Sequence, residues 1–183
     1  MGYDLEEIAI IHNSISLNRQ LYILPYRIYI ITMIKCIRTN HDNKDFQKLA
    51  TELDTFLRIH DGDDHAFYSQ FNKIDTLNYA IVAYDNELPV GCGAIKEYAS
   101  DAMEVKRMYV LPNRRGEGIA TLILKALEQW CVELSCTKCL LETGIKLQEA
   151  IGLYQKNGYK PIPNFGQYEN VETSVCLGKE LKR

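Results

Sequence analysis

Two glycines and an arginine stand at a point in the chain where a phosphate group could bind. Arg115, Gly116 and Gly118 follow a segment with the composition of a β-strand and precede one with the periodicity of a helix. The first N–H groups of a helix lack partners within it and lie at the positive end of its dipole, and glycines let an anion approach them closely. Arginine adds a fork of donors suited to phosphate oxygens. The loop therefore predicts binding of a phosphate-bearing cofactor.

The segments on either side of this loop must position it. After the loop, apolar residues recur near the 3.6-residue period, which predicts a helix with Lys125, Glu128 and Glu133 turned to solvent. Its predicted apolar face consists of Ile119, Leu122, Ile123, Leu127, Trp130 and Leu134. Before the loop, residues 103–110 predict a strand that Pro112 stops.

The remaining sequence alternates between strand and helix patterns, which predicts a mixed α/β domain. A helix is expected where Phe46, Leu49, Ala50, Leu53 and Leu57 share one face. Shorter helices are expected at 66–71 and 148–157, and strands at 34–38, 79–84, 88–97, 139–142, near 159 and at 173–181. Residues 85–87 form a polar turn that predicts a hairpin.

Composition and charge exclude some classes of function. The 183 residues are 46% hydrophobic and 25% charged, as in one ordinary globular domain. A net charge of −3 offers no basic face to a nucleic acid, so we expect anion binding to be local, around Lys106, Arg107, Arg114 and Arg115. The six cysteines, with no recognisable secretory leader, favour reduced thiols and a cytoplasmic location.

Residues 1–32 differ in character from the predicted domain, 33–183. The apolar run 21–31 is too short for a membrane span and is interrupted by Pro25 and Arg27. Glu6 stands where N-myristoylation requires Ser or Thr. The segment is therefore either an interaction segment, able to join a second subunit in a homodimer, or sequence upstream of the biological start.

Two clusters have residue types that bind metals, and neither predicts a metal site. Cys136 and Cys139 have zinc-ligand spacing, but no second pair follows them. The acidic and histidine-containing segment 60–65 is typical of a loop that ends one helix and caps the next.

The glycine loop also fits a dinucleotide-binding oxidoreductase, which remains an alternative. Glu142 ends the next predicted strand, near where a ribose-binding acid would lie. Against this, Thr121 replaces the third glycine or alanine, and residues 111–115 separate the strand from the first glycine.

Three segments together resemble the GNAT superfamily of acetyl-CoA-dependent N-acetyltransferases: 104–110, 115–120 and 150–159. The pattern Arg-x-x-Gly-x-Ala followed by Ala-x-x-x-Tyr-x-x-x-Gly-Tyr is more specific than either part alone, and the resemblance covers about 34–181. It implies a mostly antiparallel mixed sheet with splayed central strands and helices on both faces. It also implies acetyl-CoA as cosubstrate and a primary amine as acceptor. This amine would belong either to a small molecule or to a peptide.

The resemblance assigns residues to the cosubstrate. The main chain of Arg115, Gly116, Glu117, Gly118, Ile119 and Ala120 would hold the pyrophosphate, and Met108, Tyr109 and Val110 would pair with the pantetheine arm. Arg114 and Asn157 are further expected contacts. Leu147 replaces an asparagine frequent in the family, so that contact should be missing or supplied by Gln148.

The implied chemistry, direct attack through a tetrahedral intermediate, needs a base and an acid. A protonated amine must first lose its proton, and Glu104 is the first candidate base and Glu142 the second. Tyr154 occupies the position of the family tyrosine that protonates the leaving thiolate. A non-catalytic acyl-CoA sensor is the alternative, and these acid and base candidates argue against it.

The acceptor is expected to meet aromatic side chains. Residues 162–170 resemble a loop that walls the acceptor site in a subset of small bacterial acetyltransferases. The residues expected to shape the pocket are Phe67, Tyr68, Phe71 and Tyr168.

Overall fold

A computed structural model describes residues 19–24, 27–32 and 34–182. The strands are β1 (Arg19–Leu24), β2 (Arg27–Thr32), β3 (Ile34–Thr39), β4 (Tyr79–Asp85), β5 (Leu88–Ala99), β6 (Ala102–Val110), β7 (Lys138–Gly144), β8 (Lys160–Pro161) and β9 (Ser174–Glu180). The helices are α1 (Lys44–Asp61), α2 (His65–Tyr68), α3 (Ile119–Glu133) and α4 (Gln148–Lys156). The short helix predicted at 66–71 is α2 followed by a 3-10 turn, Ser69–Phe71.

Strands β3 to β9 form one sheet in the order β3-β4-β5-β6-β7-β9-β8. Neighbouring strands are antiparallel except β6 and β7, which run parallel and are joined through α3. The turn between β4 and β5 places Asn86 at φ 56°, a left-handed conformation that asparagine tolerates. The mixed, mostly antiparallel α/β sheet confirms the predicted fold class.

The parallel pair β6 and β7 separates after a short contact. Only Ala102, Met103 and Glu104 pair with β7, opposite residues 138–140. Beyond Glu104, β6 continues to Val110 and β7 continues to Gly144 without further pairing between them. The open wedge between the two strands exposes one edge of β6.

Helices pack on both faces of the sheet. On one face, α1 buries Phe46, Leu49, Ala50 and Leu53. Its first turn is capped by Asn43, whose Oδ1 accepts the Phe46 N–H at 2.9 Å. On the other face, α3 buries Ile119, Ile123, Leu124, Leu127 and Cys131.

The predicted apolar face of α3 is wrong at its edges. Leu122 is 45% exposed and Leu134 is 37% exposed. The helix approaches β5 closely at Gly93, where an added Cβ would lie 2.9 Å from Ile123, so only a narrow face can contact the sheet. Glu128, predicted to face solvent, instead accepts a hydrogen bond from the Lys179 Nζ at 2.7 Å.

The N-terminal strands β1 and β2 pair with each other as a separate antiparallel sheet. The predictions that concern residues 1–18, Pro25, Tyr26 and Met33 lie outside the described residues. Among the described helices, none combines the length and apolar character needed to cross a membrane.

Candidate active site

A cavity of about 970 Å³ lies against the wedge between β6 and β7. Its walls are the diverging parts of the two strands, the last turns of α1, the start of α3, and α4 with the loop before it. The predicted site residues that line it are Glu104, Met108, Tyr109, Val110, Arg114, Arg115, Gly116, Gly118, Ile119, Ala120, Glu142 and Tyr154. The structure therefore brings the predicted phosphate loop and the predicted acid and base candidates to one cavity.

The phosphate loop has the geometry expected of an anion site. Gly116 and Gly118 have φ angles of 83° and 80°, a left-handed conformation that favours glycine. The N–H groups of residues 116–121 donate no hydrogen bond to any described residue. An added Cβ on either glycine would meet no atom within 4 Å, so the main chain is open to a ligand. The loop presents a row of free donors at the positive end of α3.

Arg115 is held beside this loop. Its Nε donates to the carbonyl oxygen of Val110 at 3.3 Å, and its guanidinium lies 4.7 Å from the ring centre of Phe56. Phe56 also stacks on His60, with ring centres 4.0 Å apart. Phe56 and His60 both line the cavity and were not predicted, because a helix pattern does not reveal which residues at its end face a ligand.

Most of the four cations around which anion binding was expected have carboxylate partners. Lys106 Nζ lies 2.9 Å from Glu104 Oε1, and the Arg107 guanidinium lies 2.8 Å from Asp54 Oδ1. Arg114 pairs with Asp85 and Glu117. Carboxylates therefore pair with three of the four cations around which anion binding was expected.

A bulge in β6 aims the end of that strand at the cavity. Cys92 pairs with Tyr109 and Ala94 with Lys106, so β6 has one extra residue there, and Arg107 adopts φ 58°. The buried Arg107 donates to the Ala50 carbonyl at 2.6 Å and so ties the bulge to α1.

The open edge of β6 carries a main-chain donor. The Leu111 N–H donates to the Val90 carbonyl of β5 at 3.0 Å. Successive N–H groups of an extended strand point to opposite edges, so the Val110 N–H points away from β5 and into the wedge.

Glu142 is a carboxyl group on the cavity wall whose proton affinity is altered by its surroundings. Burial raises its pKa to about 7, while the Ser174 hydrogen bond and the Lys106 charge lower it and the charges of Glu104 and Asp61 raise it. Its Oε1 accepts from Ser174 Oγ at 2.7 Å, and its Oε2 has no donor in the described part of the chain. Glu142 can therefore exchange a proton near neutral pH.

Tyr154 lies on α4 and is buried beside the same cavity. Burial, and secondarily the charge of Glu142, raise the pKa of its phenol. The hydroxyl therefore stays protonated at neutral pH and is available as a donor.

Two predicted cosubstrate contacts lie outside the cavity lining. The exposed Glu117 pairs with Arg114, with Oε1 2.8 Å from Nε. The side-chain amide of Asn157 donates to the Leu153 carbonyl at 2.8 Å and to Thr121 Oγ1 at 3.4 Å, which ties the end of α4 to the start of α3. Leu147 and Gln148 do line the cavity.

The predicted acceptor aromatics divide into two groups. Tyr68 and Tyr168 line the cavity, whereas Phe67 and Phe71 pack behind them in an aromatic cluster. The Tyr68 hydroxyl contacts Thr173 Oγ1 at 2.8 Å and Ser174 Oγ at 3.0 Å, which fixes α2 against β9.

The clusters considered for metal binding have other contacts. His60 Nδ1 lies 2.8 Å from the Phe56 carbonyl, and His65 Nδ1 lies 3.3 Å from Asp61 Oδ2. Cys139 Sγ lies 3.1 Å from Cys131 Sγ, and all six cysteines are free.

Comparison with protein families gives a match over residues 43–159 to the family described as acetyltransferase (GNAT). Among curated proteins, the chain is 39% identical over 108 residues to the uncharacterised N-acetyltransferase YjgM of Escherichia coli, covering 56% of this chain and 64% of that protein. It is 35% identical over 102 residues to the IAA acetyltransferase of Azospirillum brasilense, covering 55% of this chain and 67% of that protein. The matches thus span about two thirds of the length of these relatives.

Two solved structures illustrate the similarity in fold. A Klebsiella pneumoniae structure assigned as an acyl-CoA N-acyltransferase has a TM-score of 0.69 and 29% identity, covering 83% of this chain and 100% of that one. A GNAT family acetyltransferase from Elizabethkingia anophelis with acetyl-CoA bound has a TM-score of 0.59 and 19% identity, covering 81% of this chain and 98% of that one.

Proposed function

The chain belongs to the acetyltransferase (GNAT) family, and we propose on that premise that it transfers an acetyl group from acetyl-CoA to a primary amine. The observation that carries the proposal is the meeting of an open phosphate loop with Glu142 and Tyr154 in one cavity. A phosphate-binding loop alone would suit many ligands. The addition of a group that exchanges protons near neutral pH, and of a protonated phenol, suits acyl transfer to nitrogen.

The residues present fit acetyl-CoA, which supplies the activated acetyl thioester. The free N–H groups of residues 116–121 would hold the pyrophosphate, with Arg115 beside them. The open edge of β6 at residues 108–110 would pair with the amide-containing pantetheine arm as an added strand. The Val110 N–H would then stabilise negative charge that develops on the thioester oxygen.

We propose Glu142, ahead of Glu104, as the base that receives the proton of the acceptor amine. Alkylamines have pKa values around 10, so a carboxylate with a pKa about 7 accepts their proton more readily than an ordinary one. Glu104 is held in an ion pair with Lys106 at 2.9 Å, which commits its charge to another partner. The order of the two candidates expected from sequence is therefore reversed in this proposal.

Tyr154 is proposed to protonate the departing thiolate. The ordinary pKa of a thiol, about 8.5, and that of a phenol, about 10, are close, so a hydrogen bond from the phenol stabilises the sulfur as it develops charge and gives its proton a short path to the thiolate. The burial that raises the pKa of Tyr154 keeps the proton in place until that moment.

We expect Tyr154→Phe to lower kcat by about 100-fold and to leave acetyl-CoA affinity within a few-fold, because it removes a proton donor and keeps the ring. Steady-state kinetics and calorimetry would measure the two effects. Tyr159→Phe is the matched control, since this neighbouring tyrosine lies outside the cavity lining. Equal turnover of the two variants would remove Tyr154 from the mechanism.

The function itself is tested by thiol release from acetyl-CoA with the purified protein and a panel of alkylamines, amino acids and peptides. We expect release that requires an amine, with a mass increase of one acetyl group on the acceptor. Release in the absence of amine provides the hydrolysis control. Tight acetyl-CoA binding with no turnover across the panel would instead favour a sensor that binds acyl-CoA without catalysis.

A further inference from the structure

The wall of the cavity around the proposed base is acidic. Asp61 at the end of α1, Glu104 on β6 and Glu142 on β7 all line it, and we call these three residues the acidic wall. The hydrogen bonds of Tyr68 to Thr173 and Ser174, and of Ser174 to Glu142, hold the α1–α2 corner against β7 and β9. Three elements distant in sequence thus bring their carboxylates to the same part of the cavity.

The cations near the acidic wall have little unpaired positive charge with which to bind an acidic ligand. The Lys106 side chain is 9% exposed, and its Nζ contacts Glu104 Oε1 at 2.9 Å and the Tyr168 hydroxyl at 3.3 Å. Lys146 lies in the cavity lining but is exposed, where solvent screens its charge. Arg114 and Arg115 belong to the phosphate loop, and Lys156 lies beside the α3 start that Asn157 contacts.

Asp61 has an oxygen atom available to a ligand. Its side chain is nine-tenths buried, with 10% exposed. Oδ2 lies 3.3 Å from His65 Nδ1, whereas no donor to Oδ1 is found among the described residues, which here exclude Asp63. Asp61 itself lines the cavity, so a ligand there can reach its carboxylate. A buried carboxylate oxygen without a partner is costly unless a donor reaches it.

We propose that the acceptor is an amine with a second cationic group, which Asp61 binds while the reacting nitrogen lies at Glu142. This inference rests on the proposed function. In the reaction, the N–C bond to the acetyl group forms and the C–S bond breaks. One proton of the ammonium group passes to Glu142 before attack. The departing thiolate takes a proton from Tyr154, and the second proton lost from the nitrogen restores the phenol. The second cationic group stays unreacted and orients the acceptor.

Three acceptors with the same four-carbon chain test the inference: 1,4-diaminobutane, n-butylamine and 4-aminobutyrate. We expect kcat/KM for the diamine to exceed that for the monoamine by at least about tenfold, because a close charge pair in a partly buried site is worth more than one in water. The factor of two from having two equivalent amines is small against this. The aminobutyrate should be the poorest of the three, since its carboxylate faces the acidic wall.

The role of Asp61 is tested by Asp61→Asn, with Glu87→Gln as the matched control. Glu87 is an exposed residue of the β4–β5 turn, outside the cavity lining, and its replacement removes the same charge. Asp61→Asn should reduce the diamine-to-monoamine ratio to near two, while Glu87→Gln should keep the parental ratio. Melting temperature and acetyl-CoA affinity would show that the Asp61 variant is folded.

The outcomes separate the two proposals. Acetylation of n-butylamine at a rate equal to the diamine, preference for 4-aminobutyrate, or a ratio insensitive to Asp61→Asn would overturn the dicationic acceptor and leave the acetyltransferase proposal standing. Failure to acetylate any amine, including the wider panel, would contradict the proposed function, and the inference would fall with it.

Discussion

Replacing Glu142 with glutamine is expected to lower kcat/KM for the amine by at least about 100-fold at pH 8. Glutamine keeps the shape of the side chain and can still accept the Ser174 hydrogen bond at Oε1, but it cannot take a proton. The parent enzyme should lose activity as pH falls through about 7, because protonation of Glu142 removes the base. That part of the pH profile should disappear in the variant, and steady-state kinetics from pH 5.5 to 9 would measure it.

The same substitution should not destabilise the protein at high pH. Burial raises the pKa of Glu142 from its ordinary value of 4.5 to about 7, so the folded state binds this proton more tightly than the unfolded state. The stabilisation that protonated Glu142 gives the folded state is fully present below the pKa of this group in the unfolded chain. It is lost as pH rises through the pKa of Glu142 in the folded protein, about 7. Above about pH 7 the charged carboxylate opposes folding, and glutamine removes that cost. We therefore expect Glu142→Gln to melt at or above the parental temperature at pH 8.

Glu104→Gln is the matched control for this prediction. It is the same acid-to-amide change on the same wall, and it frees Lys106 from its 2.9 Å ion pair. We expect a smaller loss of activity, with the ionisation near pH 7 retained. A Glu142 variant that keeps that ionisation while the Glu104 variant loses it would return the base assignment to Glu104.

Parts of the site that depend on local sequence could be predicted. The order of strand, glycine loop and amphipathic helix places free N–H groups at the start of α3 whatever the rest of the fold does. The left-handed angles of Gly116 and Gly118 agree with the choice of glycine at both positions.

The preference for Glu142 over Glu104 in our proposal could not be predicted from sequence, because it depends on tertiary contacts. Glu104 becomes an ion-pair partner through Lys106, two residues along β6, and residues two apart in a strand share a face. The pairing of Glu104 with Lys106 could therefore have been expected from their spacing in the sequence. The burial of Glu142 against β9 could not, since it requires knowing that Ser174 lies beside it.

The orientation of Asp61 and the bulge at Arg107 are two further features that could not be predicted from the sequence. An acidic segment at the end of a helix is typical of a solvated loop. In the structure, the hydrogen bonds of Tyr68 to Thr173 and Ser174 hold the end of α1 and the start of α2 beside the cavity. The sequence does not reveal the positive φ angle of Arg107 either, because arginine has no preference for that conformation and the contacts of its buried side chain with Asp54 and Ala50 depend on the fold.

Gly118→Glu is expected to abolish measurable acetyl-CoA binding, with an affinity loss of at least about 100-fold. An added Cβ at this position meets no protein atom within 4 Å, so the new side chain would occupy the space in front of the free N–H groups. Its carboxylate would stand where the proposal puts the pyrophosphate. Isothermal titration calorimetry with acetyl-CoA would measure the loss.

Gly118→Asn separates the effect of charge from that of backbone strain. Asparagine tolerates the left-handed conformation that Gly118 adopts at φ 80° better than most residues, and it is neutral. We expect the Asn variant to lose affinity about tenfold or less, and both variants to remain folded, because a left-handed non-glycine residue costs only about 1–2 kcal/mol. Parental affinity in a folded Gly118→Glu protein would show that the pyrophosphate does not lie at the start of α3. Equal, large losses in both variants would show that the loop conformation, rather than the charge in front of it, determines binding.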